Sequence, residues 1–150
     1  MSIRKILSLE HVLCGVQSGS KKRALERIAD LVGQGNPTVD TKELFNSLVT
    51  REKLGSTGLG NGVAIPHCRL ASCQEPVAVF LQLAEPIDFD AIDRHPVDLI
   101  FALIVPDSSI DEHLKLLKKL AEKFSNPEIC ESLRTAESSE VLYQLIADPE

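Results

Sequence analysis

The chain has 150 residues, 43% apolar and 25% charged, with a formal net charge of −6. That length suits one domain with a sizeable core, and residues 1–150 read as a single domain. The acidic balance argues against nucleic acid as a partner, since a basic footprint supplies most of that affinity. No apolar run approaches the roughly 18 residues of a membrane span, and the N-terminus lacks the apolar region and cleavage site of a leader. Cys14, Cys68, Cys73 and Cys130 are too few for a disulfide scaffold and fit reduced thiols, so a cytoplasmic protein is expected.

In chain order, His11 to Gln17 is a first strand. Ser20 caps a helix whose apolar face is Leu25, Ile28, Ala29 and Val32, and Gly33 and Gly35 are expected to stop it. The cluster Lys21-Lys22-Arg23 is a solvated helix face. Asn36-Pro37 is a turn. Asp40 and Glu43 form a capping-box pattern before a helix carrying Leu44, Phe45, Leu48 and Val49, which ends near Gly55. Arg51 falls in its last turn, where a cation suits the helix dipole.

A glycine-rich stretch follows, with Gly55, Gly58, Gly60 and Gly62, and then the short strand Val63 to Ile65, closed by Pro66 and presenting His67. Val77 to Leu83 and Val97 to Val105 are apolar almost throughout, the pattern of strands buried on both faces. Between them a turn is expected at Asp93-Arg94. Ser109 and Glu112 make a second capping box. Leu114, Leu117, Leu120, Ala121 and Phe124 form the stripe of the next helix, with His113 in its first turn. Pro127 opens a short helix to about Arg134, and Ser138 or Ser139 caps a last one. Strands close in sequence with no helix between them require some antiparallel pairing. One mixed sheet covered by helices on both faces is therefore expected, an α/β class.

The glycine stretch and His67 carry the chemistry. Glycines let backbone approach a ligand, and successive N–H groups can cradle an anion. In a phosphoryl-transfer reading, a neutral imidazole of His67 is the nucleophile. Ser56, Thr57, Gly58 and Gly60 hold phosphoryl oxygens, Arg51 stabilises their charge and a second histidine donates a hydrogen bond. Other chemistries fit less well. A zinc site from His67, Cys68, Cys73 and His113 has no second cysteine pair, and it stands as a binding-module alternative. A Cys68–His67 dyad is opposed by the alternation of strand neighbours. The glycines lie between a helix and a strand, the wrong order for a dinucleotide fingerprint. No cofactor is called for.

Glu52, followed by Leu59-Gly60-Asn61-Gly62-Val63-Ala64-Ile65-Pro66-His67-Cys68, is similar to the phosphohistidine signature of the fructose/mannitol-type IIA components of the bacterial phosphoenolpyruvate-dependent phosphotransferase system. The phrase from Arg51 to Gly62 most resembles the nitrogen-regulatory branch. The likeness extends over nearly the whole chain, including 97–106 and His113-Leu114.

The resemblance implies a three-layer α/β/α sandwich of the mannitol IIA kind. It implies that His67 accepts phosphate from a small histidine-phosphocarrier protein, with His113 as the second active-site histidine and Arg51 as the active-site arginine. Partners of such regulators include potassium transporters and sensor kinases. A stand-alone IIA component of a sugar transporter is the alternative within the family. Glycine is more usual where this chain has Cys68.

Overall fold

The computed structural model describes residues 3–108 and 110–147. A helical turn, α1 (Ile3–Ile6), and a 3₁₀ turn at Leu9–His11 lead into strand β1 (Val12–Val16). Helix α2 (Lys21–Gly35) is capped by Ser20, whose side chain accepts from Arg23 N. It runs through both glycines expected to end it and stops at Asn36, whose Nδ2 donates to Val32 O at 2.9 Å. Gly33 serves contact instead: a Cβ there would run into the Thr41 hydroxyl, at the start of helix α3 (Thr41–Leu54). Asp40 caps α3 by accepting from Lys42 N and Glu43 N, and Gly55 closes it.

Strands β2 (Gly58–Gly60), β3 (Val63–Ala64) and β4 (His67–Arg69) follow, then β5 (Val77–Ile87) and β6 (Val97–Val105). Helices α4 (Ile110–Phe124), α5 (Pro127–Thr135) and α6 (Ser139–Ala147) complete the chain. Asn126 caps α5 with Pro127 in its first turn, and Ser138 Oγ accepts from Val141 N at the start of α6. The cap expected at Ser109 lies outside the described residues.

The sheet is mixed, in the order β1-β5-β6-β3-β2, with β4 also on β6. β5 and β6 are antiparallel, whereas β1 runs parallel to β5, and β3 and β4 both run parallel to β6. β5 continues past Leu83 to Ile87, with a register irregularity that contains exposed Pro86; proline in a sheet is confined to such places.

Alternation along β5 and β6 divides the core. Val79, Leu81, Ile100, Ala102 and Ile104 pack with Leu25, Ile28, Leu44 and Leu48 of α2 and α3. Phe80, Leu99, Phe101 and Leu103 pack with Leu116, Leu120, Phe124, Leu133, Leu142 and Ile146 of α4, α5 and α6. This is the expected sheet with helices on both faces. One helix is rotated from expectation: the buried residues of α4 include His113, Leu116, Leu120 and Phe124, while Leu114 is 61% exposed.

Candidate functional site

β3 and β4 lie end to end along the same side of β6. β3 pairs with Leu99 and Ile100, and β4 with Leu103, Ile104 and Val105. The break between them is Ile65-Pro66. Pro66 has no N–H to give the ladder, but its carbonyl still accepts from Leu103 N at 2.9 Å. His67 therefore opens a strand rather than hanging beyond the end of one. The carbonyl of Ile65 is left to accept a bond from its imidazole, and His67 Nδ1 lies 2.8 Å from Ile65 O. A carbonyl can only accept, so Nδ1 carries the hydrogen and Nε2 holds the free lone pair.

Two other elements bring side chains to this ring. The His113 ring, from the first turn of α4, stands edge-on to it with centroids 5.4 Å apart and an interplanar angle of 84°. His113 is 7% exposed, and its Nε2 is buried without a hydrogen-bond partner. Arg51 comes from the last turn of α3, with Nη1 donating to Gly55 O at 2.8 Å. Arg51, His67 and His113 line one open groove of about 1080 Å³, together with Glu43, Asn46, Ser47, Thr50 and Leu54 of α3, Cys68, Arg69, Asp107, Leu114 and Leu117.

Both imidazoles have their pKa lowered from the ordinary value, which favours the neutral form. Burial lowers the His67 pKa, the Ile65 hydrogen bond raises it, and the charges of Arg51 and Glu52 lower and raise it respectively. Burial pushes His113 down to about 4, helped by His67 and Arg69. Helix position and flanking carboxylates alone leave the sign of that shift undecided, because burial is invisible in sequence.

The glycine stretch has a different place. Asn61 and Gly62 both take positive φ, 58° and 80°, and join β2 to β3 as a two-residue hairpin turn. Asn61 N donates to Asp93 Oδ2 at 3.0 Å. Arg134 holds the turn from α5, with Nε donating to Asp98 Oδ1 and Oδ2 at 3.0 and 2.9 Å and Nη2 donating to Asn61 O.

The Ser56 hydroxyl donates to Phe89 O at 2.7 Å and accepts from Gly58 N at 3.0 Å. Thr57 Oγ1 donates to Glu52 Oε2. Ser56, Thr57, Gly58 and Gly60 do not border the groove; their polar groups brace the hairpin. Sequence reasoning brings His67, His113 and Arg51 together and passes over the polar face of α3 from Glu43 to Thr50, which is legible as the stripe opposite Leu44 and Leu48.

Cys68 alternates to the other side of β4 and sits in the core with Cys73. Burial and Cys73 push its pKa up to about 12, so the thiol is protonated. Among the described residues, no three or more His, Cys, Asp or Glu side chains gather where they could hold a metal ion. Among the same residues, no helix is long and apolar enough to cross a membrane.

The family model described as "Phosphoenolpyruvate-dependent sugar phosphotransferase system, EIIA 2" matches residues 5–148. The chain is 49% identical over 146 residues to the nitrogen regulatory protein of Pseudomonas aeruginosa, a match covering 97% of this chain and 95% of that one. Its fold is similar to the crystal structure of nitrogen regulatory protein IIA-Ntr from Neisseria meningitidis, with a TM-score of 0.92 and 44% identity over 96% of this chain and 98% of that one. Mannitol IIA of Escherichia coli is similar in fold, with a TM-score of 0.78 at 20% identity over 93% and 98% of the two chains.

Proposed function

Because the chain belongs to the EIIA 2 family of the phosphoenolpyruvate-dependent sugar phosphotransferase system, we propose that it is a phosphocarrier of the nitrogen-regulatory kind. In this reading Nε2 of His67 accepts a phosphoryl group from a histidine-phosphocarrier protein. The phosphorylation state of His67 then regulates partner proteins, and potassium transporters and sensor kinases are the class implied by the resemblance.

The observation that carries the reading is the 2.8 Å contact between His67 Nδ1 and Ile65 O. With the hydrogen of Nδ1 on Ile65 O, the Nε2 lone pair attacks phosphorus while the N–P bond of the carrier breaks and its electron pair returns to the carrier's imidazole. Nδ1 keeps its hydrogen, and the positive charge gained by the ring strengthens the bond to Ile65. A neutral His113 offers one ring N–H, and its unpartnered Nε2 suits a phosphoryl oxygen as the missing acceptor. Arg51 lies in the same groove with further guanidinium N–H groups to aim at the transferring oxygens. Leu54, 82% exposed, and Leu114 rim the groove and suit an apolar docking surface for the carrier.

The test is intact mass after incubation with phosphoenolpyruvate, enzyme I and the carrier protein. The wild type gains one phosphate, and a folded His67→Ala variant gains none. Full labelling of that variant overturns the assignment.

A further inference from the structure

A chain of hydrogen bonds reaches His67 from the far side of α3. It starts at Lys21, whose Nζ lies 2.9 Å from Glu52 Oε1, donates to Phe89 O at 3.3 Å and sits 4.8 Å from the centroid of the Phe89 ring. Glu52, 9% exposed, grips Thr57 twice: Thr57 N donates to Oε1 at 3.2 Å, and Thr57 Oγ1 donates to Oε2. The carbonyl of Thr57 accepts from Ile65 N at 3.0 Å, and the carbonyl of Ile65 accepts from His67 Nδ1 at 2.8 Å. Every link is a protein–protein contact, and Glu52 and Thr57 are buried.

We infer that the Lys21–Glu52 pair acts through Thr57 and Ile65 to hold His67 in the tautomer with Nδ1–H and a free Nε2, which makes Glu52 a positioning residue for phosphoryl acceptance. A buried carboxylate is costly unless paired and fully hydrogen-bonded, and an apolar residue could fill the same volume. Here the carboxylate fixes Thr57, which fixes Ile65 from its N–H side. Pro66, next in the chain, has no N–H of its own to give the ladder. Ile65 O is then aimed at the ring by the segment behind it, because β3 ends at Ala64 and β4 begins at His67. Loosening this support lets the ring populate the Nε2–H tautomer, which has no lone pair on the attacking atom. The consequence for phosphoryl transfer rests on the phosphocarrier reading; the tautomer control does not.

The experiment pairs ¹⁵N NMR of the His67 ring with initial rates of labelling by the phosphorylated carrier. The variants are Glu52→Gln, Thr57→Val and Thr57→Ser. Wild type and Thr57→Ser, which keeps the hydroxyl, should show Nδ1–H and equal rates. Thr57→Val and Glu52→Gln should show mixed tautomers and labelling slowed roughly tenfold, the scale of one lost positioning hydrogen bond. Glu52→Gln should also lower the protonation midpoint of His67, because the Glu52 charge favours imidazolium.

The inference is overturned if wild-type His67 carries its proton on Nε2. It is equally overturned if folded Thr57→Val or Glu52→Gln retains the wild-type tautomer, whatever its rate. If Glu52→Gln does not fold, the Thr57 pair decides. If wild type takes up no phosphate, the phosphocarrier reading fails and the tautomer measurements still decide the positioning role.

Discussion

Replacing His113 by glutamine isolates a charge-burial effect that can be worked out in advance. In the folded protein, burial holds the imidazole at a pKa of about 4, against an ordinary value of 6.5. Between those values the unfolded chain binds a proton that the folded chain does not, so stability falls as the pH drops from 6.5 towards 4 and the loss levels off below. From pH 7 to pH 5 the full shift corresponds to about 2 kcal/mol. Screening by water at the groove mouth brings the expected value to between about 1 and 2 kcal/mol. Glutamine does not titrate, so His113→Gln should lack this component while keeping every other acid-sensitive group. Urea denaturation of both proteins at pH 7 and pH 5 measures it as the difference between their two stability losses. Parallel losses, within about 0.5 kcal/mol, would refute the argument that burial keeps His113 neutral.

Two further substitutions probe the groove and its scaffold. Arg51→Ala should slow labelling of His67 by about 100-fold or more, as for removal of an electrostatic stabiliser worth about 3–4 kcal/mol; a wild-type initial rate would remove Arg51 from the reaction. Gly62→Ala should lower stability by about 2–4 kcal/mol, since Gly62 has φ +80° and a Cβ there would lie 2.9 Å from Asp98 Oδ1 and collide with the Arg134 guanidinium. Thermal denaturation within a degree of wild type would show that the clamp on the hairpin is slack.

The elements most legible in sequence have local causes. β6 is a run apolar but for Asp98 and closed by Pro106, and it forms at Val97–Val105 as expected. The side chains of Ser20, Asp40 and Asn126 accept from helix-start N–H groups. The phase of α4 is ambiguous because leucines stand at 114, 116, 117 and 120, and only the inward turn of His113 settles which of them face the core.

β2 escapes because a Gly-Leu-Gly segment has poor intrinsic strand preference. Its signal is the Asn61-Gly62 turn, which a reading focused on anion binding passes over. The polar links escape for another reason. Lys21 and Glu52, or Asp98 and Arg134, are more than thirty residues apart, and nothing in either neighbourhood announces the partner. The site trio is legible through resemblance. The neutral state of His113 and the nitrogen that His67 exposes depend on burial and on one carbonyl, and both arise only on folding.

The groove is a seam. Arg51 rides on the helical layer above the sheet, His113 on the layer below, and His67 on a strand between them. Each layer is locked to the sheet by its own set of interdigitated side chains, and no covalent shortcut links the three groups. A slip of the lower layer against the sheet would part the two rings, and it would have to break the packing that locks that layer in place. The spacing of Arg51, His67 and His113 is thus set by the alignment of three slabs, not by any one of them.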